Sequence, residues 1–297
     1  MSELRSNVTD TALIFEGGGM RASLTSAIVP VLLEAGIYID FVAGISAGAS
    51  NTCNYLSRDA SRARQSFVDF TADPRFGSWR TFSRGQGYFN AQYIYEETGL
   101  PDQALPFDHD TFLANPASMA IAAFQCSTGR QVWWGKQDAK TMRDLMVRVR
   151  ASSTMPVLMP PVTIDGEVYV DGALGPDGGI ALDAARAAGY SKFLVILTQE
   201  RGYRKGPQKH LRLFQRHFRS FPAVAEALRD RPANYNRVRE ELFELERSGD
   251  AMLFVPETMP VRNSERNIAK LTAAHELGLA QARRELPAWR EFLGVPA

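Results

Sequence analysis

The chain has 297 residues, 45% of them hydrophobic, enough for a large core in one generous domain or two modest ones. Lys and Arg number 34 against 33 Asp and Glu, a net charge of +1, so no global field recruits nucleic acid or repels a membrane. The two cysteines, Cys53 and Cys126, lie far apart without a C-x-x-C, which argues against a disulfide framework or a zinc site and for two free, buried thiols.

The opening MSELRSNVTD has no apolar run of signal-peptide length, and no stretch approaches the roughly 20 apolar residues of a spanning helix, so the expectation is a soluble, cytoplasmic protein. TALIF, residues 11–15, is a short apolar run that stops at Glu16-Gly17-Gly18-Gly19, as a buried strand running into a loop does. Residues 21–35 carry Leu24, Ile28, Val31 and Leu32 at helical spacing, with Pro30 expected to bend the helix and Gly36 placed to cap it. YIDFVAG gives a second strand, Ser46 follows, and a further helical stretch runs to Leu56. Strand, helix, strand, helix implies a parallel sheet covered by helices.

Residues 73–89, DPRFGSWRTFSRGQGYF, are rich in turn residues and aromatics and read as a long loop. SMAIAAFQCSTGRQVWWG predicts two strands about a turn at Thr128-Gly129, and residues 138–153 an amphipathic helix. In VTIDGEVYVDG the Asp165-Gly166 pair marks a hairpin. The helix IALDAARAAG and the strand KFLVIL complete another α/β step. Beyond Thr198 the chain reads as mostly helical and charged, apart from AMLFV at residues 251–255, and no internal repeat is visible.

Chemistry is concentrated in three stretches. GGGMR, Gly17 to Arg21, lies between a strand and a helix, so its backbone N–H groups suit an anion: a bound phosphate or the oxyanion of an attacked carbonyl. The phosphate reading lacks its fingerprints, since Ala22 breaks G-x-G-x-x-G and no G-K-[ST] follows. GISAG sets Ser46 between Gly44 and Gly48 in the strand-turn-helix context of a nucleophile elbow. A chain of this length contains G-x-S-x-G by accident on the order of one time in ten, so the context carries the weight. A hydroxyl needs a base. None of His109, His210, His217 and His275 sits in a strand-to-loop setting, whereas Asp171 in YVDGALG follows a strand at the tip of a hairpin, with Gly172 beside it to allow close approach of another loop.

GGGMR, GISAG and VDGA in this order resemble the patatin-like phospholipase family, and the likeness continues through RASSTMPVLMPPVTIDGEVYVDG and RGYRKGP over essentially the whole chain. The resemblance implies one domain over residues 1–297, with a core at about 10–200 and a mostly helical part at 201–297. The fold it implies is α/β, a three-layer α/β/α sandwich with a mostly parallel central sheet. It also implies a Ser-Asp dyad without histidine, in which Ser46 is the nucleophile, Asp171 the base, and the amides of Gly17, Gly18 and Gly19 the oxyanion hole. The resemblance further implies supporting roles for Arg21, Gly44, Gly48 and Gly172. Two positions depart from the family pattern: Ala22 replaces the last glycine of G-G-G-x-R-G, and Ala173 the second glycine of D-G-G. Alanine retains the N–H unless φ > 0 is required.

An acyl lipid is the implied substrate, with no metal, cofactor or nucleic acid. Acyl transfer through the same acyl-serine and non-catalytic lipid binding are the alternatives. Lys209, Arg212, Arg216 and Arg219 form one stripe, and Leu211, Phe214, Phe218 and Phe221 another. With Arg201, Arg204 and Lys205 upstream, residues 201–221 fit a peripheral contact with an anionic membrane. The alternative, which a cytoplasmic protein favours, is a helix packed on the core with a solvated basic face.

Overall fold

β1 (Thr11–Phe15) and β2 (Phe41–Ile45) are buried along their whole length. In the computed structural model, which describes residues 4–296, they run parallel at the centre of an eight-stranded sheet. The remaining strands are β3 (Ser118–Gln125), β4 (Arg130–Trp134), β5 (Val162–Ile164), β6 (Glu167–Asp171), β7 (Lys192–Ile196) and β8 (Ala251–Phe254). Hydrogen-bonded neighbours follow the order β5-β6-β3-β2-β1-β7-β8, with β4 also paired to β3. From β3 to β8 every pair is parallel, while β4, β5 and β6 pair antiparallel.

Alternate residues of the central strands enter two different cores. Leu13, Phe15, Val42 and Leu194 pack with Leu24, Ile28, Tyr55, Val149 and Leu271 on one face. Ala12, Ile14, Ala43, Ile45 and Val195 pack with Leu182, Tyr235, Val238 and Leu242 on the other. Helices therefore cover both faces, giving the three-layer sandwich, and strands buried on both sides read as unbroken apolar runs. Both cysteines are free and buried.

One edge of β3 positions the site. Ser118 to Ala122 pair with β2, Ala123 to Gln125 with β6, and Ile121 to Gln125 with β4. A strand has only two edges, so β4 occupies one, and β2 and β6 share the other in line. The carboxyl ends of β2 and β6 thus meet, Ile45 opposite Ala122 and Asp171 opposite Ala123.

Several local expectations hold and others change. Gly36 has φ +68 and caps the helix Ile28–Glu34, while Asp165 and Gly166, at φ +51 and +83, make the hairpin between β5 and β6. The single bent helix expected over 21–35 is instead two, Ala22–Thr25 and Ile28–Glu34, broken before the proline. Pro30 falls in the first turn of the second helix. The Ser26 carbonyl it cannot serve accepts from Val29 N–H at 3.2 Å. The stretch 73–89 is less irregular than expected: Ser78 and Thr81 form a capping box that starts the helix Trp79–Ser83. The AMLFV run becomes β8, which extends the sheet beyond residue 200 by pairing parallel to β7.

Candidate active site

Ser46 occupies the single residue between β2 and the helix Ala47–Leu56, with φ +58 and ψ −126. Such a conformation costs a non-glycine residue about 1–3 kcal/mol, so its surroundings must hold it. A Cβ on Gly48 would lie 2.1 Å from the Phe15 carbonyl oxygen, and one on Gly44 would lie 2.3 Å from that of Gly48. Only glycines let the helix start this close to β1 and β2. The Ser46 N–H donates to Ser152 Oγ at 2.9 Å, which ties the elbow to the helix Met142–Ser153.

The Ser46 hydroxyl donates to Asp171 Oδ2 at 2.8 Å. The other carboxylate oxygen, Oδ1, accepts from the Ala173 N–H at 2.9 Å, and the Asp171 N–H donates to the Thr154 carbonyl at 2.8 Å. Both groups are nearly buried, Ser46 at 5% and Asp171 at 7% exposure. Burial raises the Asp171 pKa; the Arg231 charge, the Ala173 amide and the Ser46 hydroxyl oppose it. A Cβ on Gly172 would lie 2.2 Å from the Ala122 carbonyl oxygen and 3.0 Å from Ile45 Cγ2, so glycine there lets the Asp171 turn press against β2 and β3.

The glycine loop supplies fewer free donors than three. Gly17 N–H donates to the Gly179 carbonyl at 3.0 Å and so is not available to an oxyanion, contrary to the sequence expectation. The N–H groups of Gly18 and Gly19 have no acceptor among the described residues. Gly19, at φ +54, sits against the Asn263 carbonyl, which also accepts from Met20 N–H at 2.9 Å. The loop is held from behind as well: Thr198 Oγ1 donates to the Gly17 carbonyl at 3.1 Å, and Glu16 accepts from Thr198 N–H at 2.6 Å and from the Tyr235 hydroxyl at 2.8 Å. Arg21 lies near Glu16 and Tyr235; burial lowers its pKa, and the Glu16 charge opposes that shift.

Neither departure from the family pattern disturbs the backbone. Ala22 is at φ −63 and ψ −10, an ordinary helical conformation, and the amide of Ala173 is the one that fixes Asp171. The histidines lie elsewhere: His109 meets the Ala139 carbonyl and stacks on Phe112, His275 is buried against Ser23 and Ser26, and His210 and His217 are exposed. Among the described residues no cluster of three or more His, Cys, Asp or Glu is grouped to hold a metal.

Ser46 and Gly19 line an apolar cavity that no sequence signal announced. Phe67, Phe76, Phe89, Met146, Val149 and Met159 contribute to its wall, and its volume is about 70 Å³. Arg62 also borders it, held by Asn54 Oδ1 at 2.6 Å and the Pro106 carbonyl at 3.1 Å. Burial pushes the neighbouring Cys53 thiol up to about 12, so it stays neutral. Periodicity marks these side chains only as core, because a cavity wall and a packed interior use the same residue types.

A serine at a strained strand-helix turn thus faces a carboxylate beside a glycine loop in a three-layer α/β/α fold. The patatin-like phospholipase family model matches residues 13–184, more than half the chain, and the protein belongs to that family. A second model, a domain of unknown function (DUF6363), matches residues 221–294, the last two long helices and β8. The uncharacterized protein YjjU of Escherichia coli (strain K12) is 25% identical over 189 residues, 63% of this chain and 51% of that protein, so the match spans about half the length of that relative. The crystal structure of VipD from Legionella pneumophila aligns with a TM-score of 0.49 at 12% identity, covering 94% of this chain and 67% of that one.

Proposed function

We propose that the protein is a serine lipid acyl hydrolase in which Ser46 and Asp171 form the catalytic dyad. The observation that carries this reading is the 2.8 Å bond from Ser46 Oγ to Asp171 Oδ2 beside an apolar cavity that Ser46 itself lines. The acyl chain enters the cavity and the ester carbonyl lies over Ser46. As Oγ bonds to the carbonyl carbon, its proton passes to Asp171, and the oxygen that gains charge is met by the Gly18 and Gly19 amides. Asp171 then gives that proton to the departing alcohol. Water attacks the acyl-serine with Asp171 again as base, releasing the fatty acid and free Ser46. A carboxylate raised by burial is a better base than one in water, which suits it to this task without a histidine.

The test is labelling by a fluorophosphonate, with the adduct mapped by peptide mass spectrometry, alongside release of fatty acid from labelled phospholipid, lysophospholipid and p-nitrophenyl esters. The expected adduct is on Ser46 and disappears in Ser46→Ala. Acyl glycerol formed in place of fatty acid when glycerol is added would assign the same intermediate to a transferase. Lipid binding without adduct or turnover would leave only a non-catalytic binder.

A further inference from the structure

A second cleft, of about 650 Å³, lies on the segment between residues 74 and 92. It is lined by Arg75, Arg80, Arg84 and Arg150 against one carboxylate, Glu97. Arg150 is committed to Glu96, and Arg75 to Asp73 at 3.7 Å and to the Tyr93 ring at 4.0 Å. Arg80 and Arg84 are exposed and have no carboxylate partner among the described residues. Two unpaired guanidiniums in a concave polar site match a phosphate, which accepts from both.

Beside the cleft stands an exposed aromatic pair. Trp79 is 69% exposed and Phe82 36%, and they stack edge to face at 5.6 Å, with Tyr88 behind Trp79 at 5.2 Å. A soluble surface gives such rings no apolar contact, whereas the headgroup region of a bilayer accepts a ring and a guanidinium together. The same segment forms a wall of the Ser46 cavity: Phe76 and Phe89 line that cavity, and the Asn90 N–H donates to the Phe76 carbonyl at 2.9 Å. Met159 borders the cavity and Pro160 the cleft. One segment thus carries the cleft's arginines, the aromatic pair and part of the cavity wall.

The basic stripe at 209–219 offers less. Leu211, Phe214 and Phe221 pack against a core that contains Phe218, so its apolar side is already used by the chain itself, and of the upstream basic residues Arg201 and Arg204 pair with Glu246 and Glu240.

We propose that residues 74–92 are the docking face for anionic lipid surfaces, with Arg80 and Arg84 holding a phosphate headgroup while Trp79 and Phe82 enter the interface beside it. Its link to catalysis rests on the lipid acyl hydrolase reading above; binding to vesicles does not. The test is cosedimentation of the whole protein with vesicles of phosphatidylcholine alone and of equal parts phosphatidylcholine and phosphatidylglycerol, comparing wild type, Arg80→Gln/Arg84→Gln, Trp79→Ala and Arg212→Gln/Arg216→Gln/Arg219→Gln. Wild type is expected to prefer the anionic vesicles. Two interfacial arginines account for about thirtyfold in affinity, which the cleft variant loses; Trp79→Ala weakens binding to both vesicle types, and the stripe variant retains most of it. All four proteins hydrolyse a soluble butyrate ester alike. The expected binding pattern in a protein that cleaves no ester supports the docking face while refuting the hydrolase. Binding lost in the stripe variant and kept in the cleft variant overturns it. So does thermal stabilisation by inorganic phosphate that depends on Arg80 and Arg84 without binding to either vesicle, which would assign the cleft to a free anion.

Discussion

Ser46 and Asp171 face each other because the strands that carry them end head to head on one edge of β3, Ile45 opposite Ala122 and Asp171 opposite Ala123. The 2.8 Å bond between their side chains therefore depends on backbone register rather than on long, flexible side chains. A site built in this way is already arranged before substrate arrives, and its strain is concentrated at one residue.

That residue is Ser46, at φ +58. Ser46→Gly relieves strain of about 1–3 kcal/mol, offset by about 0.5–1 kcal/mol of added chain entropy. Ser46→Ala removes the hydroxyl and keeps the strain. Both variants are expected to be inactive, and the glycine variant to melt above the alanine variant in calorimetry. The reverse order would mean the turn is not strained.

The proposed dyad requires Asp171 to be ionised. Burial raises its pKa above the ordinary 3.8, so kcat/KM for a soluble ester should climb with pH through a limb above that value. The Arg231 charge lowers the Asp171 pKa. Arg231→Gln is thus expected to move the limb to higher pH, visible in a pH-rate profile; a shift to lower pH would contradict the assignment.

Asp177 is a second buried carboxylate, accepting from Gln131 Nε2 at 3.0 and 3.1 Å and from Gly179 N–H at 3.2 Å. Burial, with the Asp183 charge adding to it, pushes its pKa from 3.8 up to about 7. The folded value exceeds the unfolded one, so its contribution to stability is fully present below 3.8 and is lost as pH rises through about 7. The stability of wild type relative to Asp177→Asn should fall across that window and be flat above it, as followed by calorimetry. A difference independent of pH would show that Asp177 titrates normally.

The cavity predicts chain-length selectivity. Val149 is 2% exposed and on its wall, so Val149→Phe narrows the space without altering the dyad. kcat/KM for esters of octanoate or longer is expected to fall about tenfold or more, as for a pocket that loses room for several methylenes, with acetate hydrolysis little changed. Equal losses on both substrates would place the acyl chain elsewhere.

What the sequence reveals and what it hides follow from the range of the interactions. β1, β2 and the strand-turn-helix at Ser46 are local patterns of a few residues, and each appears as read; Asp171, expected after a strand at a hairpin tip, is instead the last residue of β6, at the end away from the Asp165-Gly166 turn. The fate of the Gly17 amide is decided by Gly179, far along the chain, and no local pattern encodes it. The break before Pro30 is a matter of where a helix turn closes, which spacing alone leaves free. Residues 74–92 look irregular because glycines interrupt them, yet the Ser78-Thr81 capping box was present to be read.

The most direct measurement is the rate of hydrolysis of one soluble ester by folded Asp171→Asn, set against His109→Gln, His210→Gln, His217→Gln and His275→Gln. Asparagine keeps the size of the side chain and removes its basic charge, so a loss on the order of 10² to 10⁴ is expected, the usual worth of a positioned general base. Each histidine variant should stay close to wild type. An active Asp171→Asn together with one inactive histidine variant would contradict the Ser46-Asp171 dyad.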